Sequence, residues 1–577
     1  MKIHKKLISP VAYVLFLWII LTAINVDKAY HIDDTFHLEA AEYIGQHPLK
    51  PMSGLINWDN LPTPMYKHNQ PPLFFYLICI YQKLFGNSEI ALHLLLSFFT
   101  FIALLCFFKL TRFLNVKSPF IILTIFAFCP AFVVNQNLMT DIPILALSLG
   151  TMYYLLKGQN TENLKDYLVS AILLTVGLLI KYSLLPLIVV ILIVILSTKR
   201  YNKVIVLLIP LITLSLWSIW NFFEFGSVHI ISRPKSEFNI KNIVAFGGTL
   251  GAMSIFSVVY IYNLFPRKIT RYLIISVFIL FLFLVPIVYL NLIEETKFNN
   301  LLNYIFIANG FILIALVIYQ TIKSFREEKY DYLKTSFFPI AIYIVGVSAF
   351  IARFAPFNAT RHILLLIPFI LLFGHSLFEK TRGVINNIVV AASIILGLLL
   401  GISDWIYADF YRKNIEKINI TNNKVWSLGH WGWQWYSKKS GMLSYSKEND
   451  LNLRNGDFIV FPKDVSKQEL SGDIQIDTIS FITEPPTFLT FFSGKSFASM
   501  YNSYAEKPAW SLSNIPIDTI FICEVKKEIG IEEIVVRIRS DENWLNHVRS
   551  KAISRNISLD SMLFLDANWL IVQKRGK

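Results

Sequence analysis

Apolar runs about as long as a bilayer is thick recur along this chain, and they decide what it can fold into. Crossing ~30 Å of hydrocarbon takes ~20 residues of α-helix. Runs of that order fall at 10–25, 88–110, 119–134, 138–156, 166–181, 183–198, 204–222, 247–265, 271–292, 301–321, 335–352, 361–378 and 384–404. With 54% hydrophobic residues and a mean hydropathy of +0.52, a chain of 577 residues is too apolar for a soluble enzyme.

The formal net charge is +14. Nucleic acid is not the reason: the Lys and Arg sit in short loops between apolar runs, which is how topology is signalled. Lys2, Lys5 and Lys6 place the N-terminus in the cytoplasm. Alternate loops then carry Arg112 and Lys117; Lys157 and Lys165; Lys199, Arg200 and Lys203; Arg267, Lys268 and Arg271; Lys323, Arg326 and Lys329; Lys380 and Arg382. All fall inside when thirteen spans are counted. Read as one helix, 166–198 would put Lys199 and Arg200 outside and invert every later loop. Two short spans broken near Lys181–Pro186 keep the pattern and are preferred. No small-residue cleavage site follows 11–25, so the first span reads as an uncleaved signal-anchor. The four cysteines have no disulfide or zinc spacing.

This topology puts 26–87, 135–137, 223–246, 293–300 and 353–360 outside, together with 405–577. Beyond 404 the apolar runs shrink to strand length, as in Phe458–Phe461, Ile474–Ile482 and Thr519–Cys523, with a helical pattern at Glu542–Ala552. That is a soluble α/β domain of roughly 170 residues, enough for its own core.

Five polar motifs share the outer boundary. The first is Asp33-Asp34 in the long loop 26–87. A helix over 33–45 would line up Phe36, Ala40 and Ile44 as a face for the membrane surface. The pair is either a helix N-cap, since Asp accepts free amide hydrogens there, or an acid–base group. The second is Lys67-His68-Asn69-Gln70-Pro71-Pro72, opening a short aromatic helix over 73–85 and holding His68, Asn69 and Gln70 at the surface. The third, Met139-Thr140-Asp141-Ile142-Pro143, opens a span with Asp141 as cap or as functional acid. The fourth is Lys181 between two apolar runs, costly unless it snorkels or meets an anion. The fifth is Thr360-Arg361-His362, where Arg361 either anchors the interface or makes bidentate phosphate contacts. Acids beside cations suit transfer of a group from a lipid phosphate to a hydroxyl or amine. A carboxylate takes the acceptor proton and the cations stabilise the departing phosphate.

In this order the motifs resemble the C-type glycosyltransferase superfamily (GT-C), and more closely its glycosyltransferase family 39-like members. These include the protein O-mannosyltransferases, the aminoarabinose transferase of lipid A and the Rgt-type lipopolysaccharide-core transferases. Ile32-Asp33-Asp34 resembles the family's Asp-Glu, Gln70-Pro71-Pro72-Leu73-Phe74-Phe75-Tyr76 and Leu84 to Glu89 its Pro-Pro-Leu and Phe-Gly segments. Met139 to Pro143 is similar to its second acidic site, Gly177 to Tyr182 to its Gly-x-x-x-Lys-Tyr element, and Arg361-His362 through Pro368 to its late Arg-Tyr pattern. The likeness covers about 1–404.

The resemblance implies a polytopic α-helical membrane protein with a GT-C-like bundle over 1–404 and an extracytoplasmic α/β domain over 405–577. It implies a polyprenyl-phosphate sugar as donor, a glycan, lipid or protein as acceptor, and single displacement with inversion. Asp33 would be the general base and Asp34 would orient the acceptor or a cation. Lys181, Arg361 and Gln70 would face the donor phosphate; Asp141, His68, Asn69 and His362 would face the acceptor. Three positions depart from the pattern. Asp34 stands where the family has Glu, Asn69-Gln70 where some members have Glu-Lys, and His93 where many have Arg. The Asn69-Gln70 change removes a charged phosphate contact and a potential metal ligand. No cofactor is firmly implied; a divalent cation is conceivable but unsupported.

In the tail, Trp431, Trp433, Trp435 and Tyr436 would stack on a sugar ring, or serve as core or interface anchors. Two other functions compete: a transporter or flippase of polyprenyl-linked glycans, and a non-catalytic glycan-binding membrane protein. Transporters place ionisable residues near the bilayer middle, often in two related halves; here the notable charges lie at one face. The lack of an endoplasmic-reticulum retention signal and of large lumenal inserts points to a bacterial inner membrane.

Overall fold

The computed structural model describes residues 9–575 apart from 69, 233–238, 356, 421–422, 473, 493–499, 502–504 and 528–530. The chain divides into two compact units. One is helical and comprises Met1–Ile56, Pro64–Lys413 and Glu484–Ile517; the other comprises Asn57–Thr63, Asn414–Thr483 and Asp518–Lys577.

In the helical unit, five helices among the described residues are long and apolar enough to cross a membrane. They are Glu89–Phe113, Tyr201–Phe225, Glu295–Lys334, Phe337–Phe354 and Gly383–Ile415. A sixth counts if Ile240–Met253 and Ser257–Asn263, bent by 91° at their break, form one span. The molecule is therefore a polytopic helical membrane protein. Several other apolar runs are interrupted, and proline is the recurring cause because it cannot donate its amide within a helix. The run 119–134 is Pro119–Ala127 followed by Pro130–Val134. The run 361–378 is divided among Thr360–Ile363, Ile367–Phe373 and His375–Lys380. Residues 166–198 form two helices, Leu164–Leu178 and Pro186–Ser197, joined by a tight turn at Tyr182–Leu184.

Glycine permits one close helix contact. A Cβ on Gly251 would lie 1.9 Å from the Phe306 carbonyl oxygen, and one on Gly310 1.9 Å from that of Gly247. Ile240–Met253 and Glu295–Glu328 thus meet backbone to backbone, which only small residues permit.

The loop after the first helix contains a helix at Asp34–Gln46, close to the expected 33–45. Its apolar face is not free for lipid, contrary to expectation. Phe36, Ala40 and Ile44 are buried in protein. The helix Leu73–Phe85 packs on the adjoining stripe of the same helix: Phe75 stacks on His37 at 5.1 Å, and Cys79 Sγ lies 3.4 Å from where a Gly45 Cβ would be.

The second unit holds a five-stranded mixed sheet. Its order is Leu443–Ser444, Val425–Ser427, Phe458–Pro462, Thr519–Lys527, Ile474–Thr483; the first two pairings are parallel and the last two antiparallel. Trp426, Leu428, Tyr445, Leu453, Ile459, Ile474 and Val525 form its core. Helices Ile531–Ser540, Glu542–Ser554 and Leu559–Arg575 pack around Ile538, Val548 and Leu563. Residues 57–63 of the first loop fold with this sheet unit. Asn57 Nδ2 donates to the Tyr445 carbonyl (2.8 Å), and Asn60 Oδ1 accepts from the Glu469 amide (2.7 Å). Trp433 and Trp435 are buried and Trp431 half-buried.

Candidate active site

The acid pair sits on a tight turn, His31 to Asp34, that launches the helix Asp34–Gln46. Ile32 adopts φ = +51°, unusual for a β-branched residue and a sign of local backbone strain. The two acids have different duties. Asp34 Oδ2 accepts the His31 amide at 2.8 Å, closing the turn, and the side chain is fully buried. Burial pushes its carboxyl up to about 8, the His31 amide and Lys28 offset part of that rise, and the charges of Asp33 and Asp404 add to it. Asp34 is therefore mostly neutral at pH 7. Asp33 occupies the N-cap position but makes no side-chain capping bond. Its Oδ2 lies 2.9 Å from Arg361 Nη1, and about a third of its side chain is exposed.

A second ion pair joins two other motifs. Asp141 opens the helix Asp141–Thr161, again without a side-chain cap from the preceding Thr140. Its Oδ1 lies 2.7 Å from Lys181 Nζ, with 6% and 13% of the two side chains exposed. Lys181 is held at this place by the broken helix: it stands between Leu178 and the turn Tyr182–Leu184. Just before it, the Leu179 carbonyl accepts the Leu73 amide at 3.2 Å, tying the Pro71-Pro72 segment to the lysine turn. Arg361, in the short helix Thr360–Ile363, also reaches Met139 Sδ at 3.3 Å, two residues before Asp141. Four segments far apart in the chain thus contribute two acids and two cations to two ion pairs.

His37, one turn beyond Asp33, was not singled out by the motifs. Its Nδ1 donates to the Leu138 carbonyl at 2.7 Å, and its ring lies on Phe75. Burial pushes its pKa down to about 4, against the opposing pull of Asp33 and Asp141, so the ring is neutral at pH 7. The available signal was the spacing: His37 follows Asp33 by four residues, one helical turn.

The remaining candidates are less closely tied to the pairs. His362 is half-buried beside Phe357, with ring centroids 5.7 Å apart. His68 is exposed at the end of Met65–His68, and Gln70 is half-buried. Asn69 lies outside the described residues. His93 is buried in Glu89–Phe113, its Nδ1 2.8 Å from the Glu89 carbonyl oxygen of its own helix.

A third, fully buried pair lies next along the chain. Lys28 binds Asp404 and also donates to Asn137 Oδ1 (2.6 Å) and the Val134 carbonyl (3.1 Å). Asp404, near the C-terminal part of Gly383–Ile415, was detectable as an acid after a long apolar run. Among the described residues, no group of three or more His, Cys, Asp or Glu side chains is arranged to hold a metal ion.

This constellation pairs carboxylates with cations on a helical membrane scaffold. Residues 69–220 match the family described as dolichyl-phosphate-mannose-protein mannosyltransferase. That match bears out the resemblance to family 39-like proteins over those residues, about a quarter of the chain. The matched segment carries Gln70, Asp141 and Lys181; Asp33 and Arg361 lie outside it. No curated protein matches. Among solved structures, the chain is similar to ArnT from Cupriavidus metallidurans bound to undecaprenyl phosphate (TM-score 0.45, 11% identity, 79% of this chain and 92% of that one). It is also similar to the Archaeoglobus fulgidus oligosaccharyltransferase in complex with zinc and sulfate (0.43, 10%, 78% and 67%). A third match is AglB from the same organism with an inhibitory peptide and a dolichol-phosphate (0.44, 11%, 78% and 69%).

Proposed function

We propose that this protein moves a sugar from a polyprenyl-phosphate donor to a hydroxyl or amine of a glycan, lipid or protein acceptor. The reaction takes place at the extracytoplasmic face of a bacterial inner membrane, in a bundle of about thirteen spans with a cytoplasmic N-terminus. One observation carries the reading: Asp33–Arg361 and Asp141–Lys181 bring acids and cations from four separate segments into close pairs.

Asp33 is the better base of the acid pair. It is partly exposed, whereas Asp34 is buried and mostly protonated near neutrality. The Asp33 carboxylate takes the acceptor proton as the acceptor atom attacks the anomeric carbon. The bond from that carbon to the phosphate oxygen breaks on the opposite face, inverting the centre. The polyprenyl phosphate leaves with the electron pair, and Arg361 and Lys181 stabilise its charge. Both cations are already paired with carboxylates. The donor phosphate therefore enters by exchanging places with a carboxylate, and Asp33 gains freedom to act when Arg361 turns to the donor.

Transfer of labelled sugar from polyprenyl-phosphate donors, followed into lipid, polysaccharide and protein fractions, tests this reading. A general base contributes roughly 10²–10⁴-fold, so Asp33→Asn at equal abundance should lose at least about a hundredfold. Equal transfer by wild type and variant would remove Asp33 from the mechanism. No transfer from any donor would favour the transport or binding alternatives.

A further inference from the structure

The strands Ile474–Thr483 and Thr519–Lys527 pair as antiparallel neighbours, yet the chain between them is no ordinary hairpin loop. Residues 484–517 leave the sheet unit and count among the helical unit. Several contacts hold this excursion. Trp510 Nε1 donates to the Ala252 carbonyl at 3.0 Å, Asn303 Nδ2 donates to the Ala505 carbonyl at 2.9 Å, and Lys413 pairs with Glu484 at 3.2 Å.

Two adjacent residues of the excursion touch the segments that bear Asp33, Asp141 and Arg361. The Met500 carbonyl accepts both the backbone amide of Thr360 (2.9 Å) and its hydroxyl (2.8 Å), immediately before Arg361. The same Thr360 hydroxyl accepts from Asn135 Nδ2 at 2.8 Å, on the segment leading to Asp141. Tyr501 donates its hydroxyl to Asp404 Oδ2 at 2.7 Å and accepts from Asn137 Nδ2 at 2.9 Å. Asn137 in turn accepts from Lys28, and Lys28 closes the circuit on Asp404. The Tyr501 ring also meets His31 edge-on, with centroids 5.3 Å apart, two residues before Asp33. All members of this ring of bonds are buried. Removing one member of such a network leaves its partners unsatisfied in a low-dielectric interior.

We infer that Met500 and Tyr501 are positioning residues for glycosyl transfer: they hold the segments bearing Asp33, Asp141 and Arg361 in mutual register. The inference rests on the proposed function for its catalytic consequence, but its structural content is separable. Neither residue needs to touch substrate. Catalysis depends on the relative placement of base and phosphate-binding cation, and a misplacement of about 1 Å costs on the order of a hundredfold.

The test compares the full-length protein with Tyr501→Phe and Trp510→Phe. The first removes only the hydroxyl at the hub; the second loosens the same excursion away from the acid pair. Tyr501→Phe should lower kcat per folded molecule roughly ten- to a hundredfold, with little change in donor KM. Trp510→Phe should lower thermal stability but keep kcat. Hydrogen exchange gives a readout independent of activity. In Tyr501→Phe, peptides spanning 28–34, 135–141 and 358–364 should exchange faster together, whereas Trp510→Phe should leave them as in wild type. If Tyr501→Phe keeps wild-type kcat and exchange, or if both variants behave alike, the positioning role is wrong. If wild type itself transfers no sugar, the proposed function fails, and the exchange pattern alone then upholds or overturns the inference.

Discussion

His37 and Asp34 lie three residues apart on the same helix and are shifted in opposite directions by the same cause, burial. Their linkage to stability therefore has opposite signs. For His37, the folded pKa of about 4 lies below the unfolded value of about 6.5. Its contribution is full above the unfolded value and is lost as pH falls through the interval towards 4. For Asp34, the folded pKa of about 8 lies above the ordinary carboxyl value. Its contribution is full at acid pH and declines as pH rises towards 8. Between about pH 4 and 6.5 the two contributions oppose each other, so thermal unfolding of the wild type in detergent should change little with pH there and stability should decline towards pH 8. In that acid window stability should fall with rising pH in His37→Asn, which keeps an amide N–H for the Leu138 carbonyl, and rise in Asp34→Asn. Unchanged slopes would mean that neither group is held in its buried neutral form. Asp34→Asn should also keep much more transfer activity than Asp33→Asn, because a mostly protonated carboxyl is not the base. At this scale Asp33, Asp141, Lys181 and Arg361 stood out as charges at the ends of apolar runs. His37 and Tyr501 did not, since a histidine in a mixed helix and a tyrosine in a polar segment carry no such contrast.

Helix contacts show a similar limit. The apolar runs and the break near Lys181–Pro186 were readable, because proline and a lysine inside an apolar stretch have local causes. The face formed by Phe36, Ala40 and Ile44 was readable as apolar, but what covers it was not. Periodicity gives the direction of burial, whereas the partner comes from the fold. The Gly251–Gly310 contact belongs here too. Gly251→Leu would place a side chain against the Phe306 backbone, which cannot give way as a side-chain tip can. Overpacking commonly costs ~1–3 kcal/mol, and backbone contact puts this case at the upper end. Gly251→Leu should therefore lower the melting temperature clearly, while Gly383→Leu, in open space at a helix start, should not. Equal melting temperatures for the two variants would argue against this helix pairing.

For the whole molecule, compactness does not follow chain order. Residues 57–63 join the sheet unit and residues 484–517 join the helical one. A chain ending at Lys413 keeps Asp33, Asp141, Lys181 and Arg361 but lacks Met500 and Tyr501. It should transfer no measurable sugar, and any folded fraction should show fast exchange around Thr360. Wild-type transfer by the folded truncated protein would show that the helical segment needs no help from the excursion.

The sequence by itself determined the membrane class, the helical bundle, three of the five strands of the C-terminal sheet and the four charges of the two ion pairs. These depend on composition and short spacing, which act within a turn or a span of helix. Only the tertiary structure decided which acid pairs with which cation, that Asp34 is the buried partner and Asp33 the accessible one, and that a strand connection from the C-terminal region returns to hold the candidate site. Those outcomes depend on contacts between residues up to hundreds of positions apart, as in Lys28 with Asp404. Their strength comes from removal of water around them, and the folded chain alone achieves that.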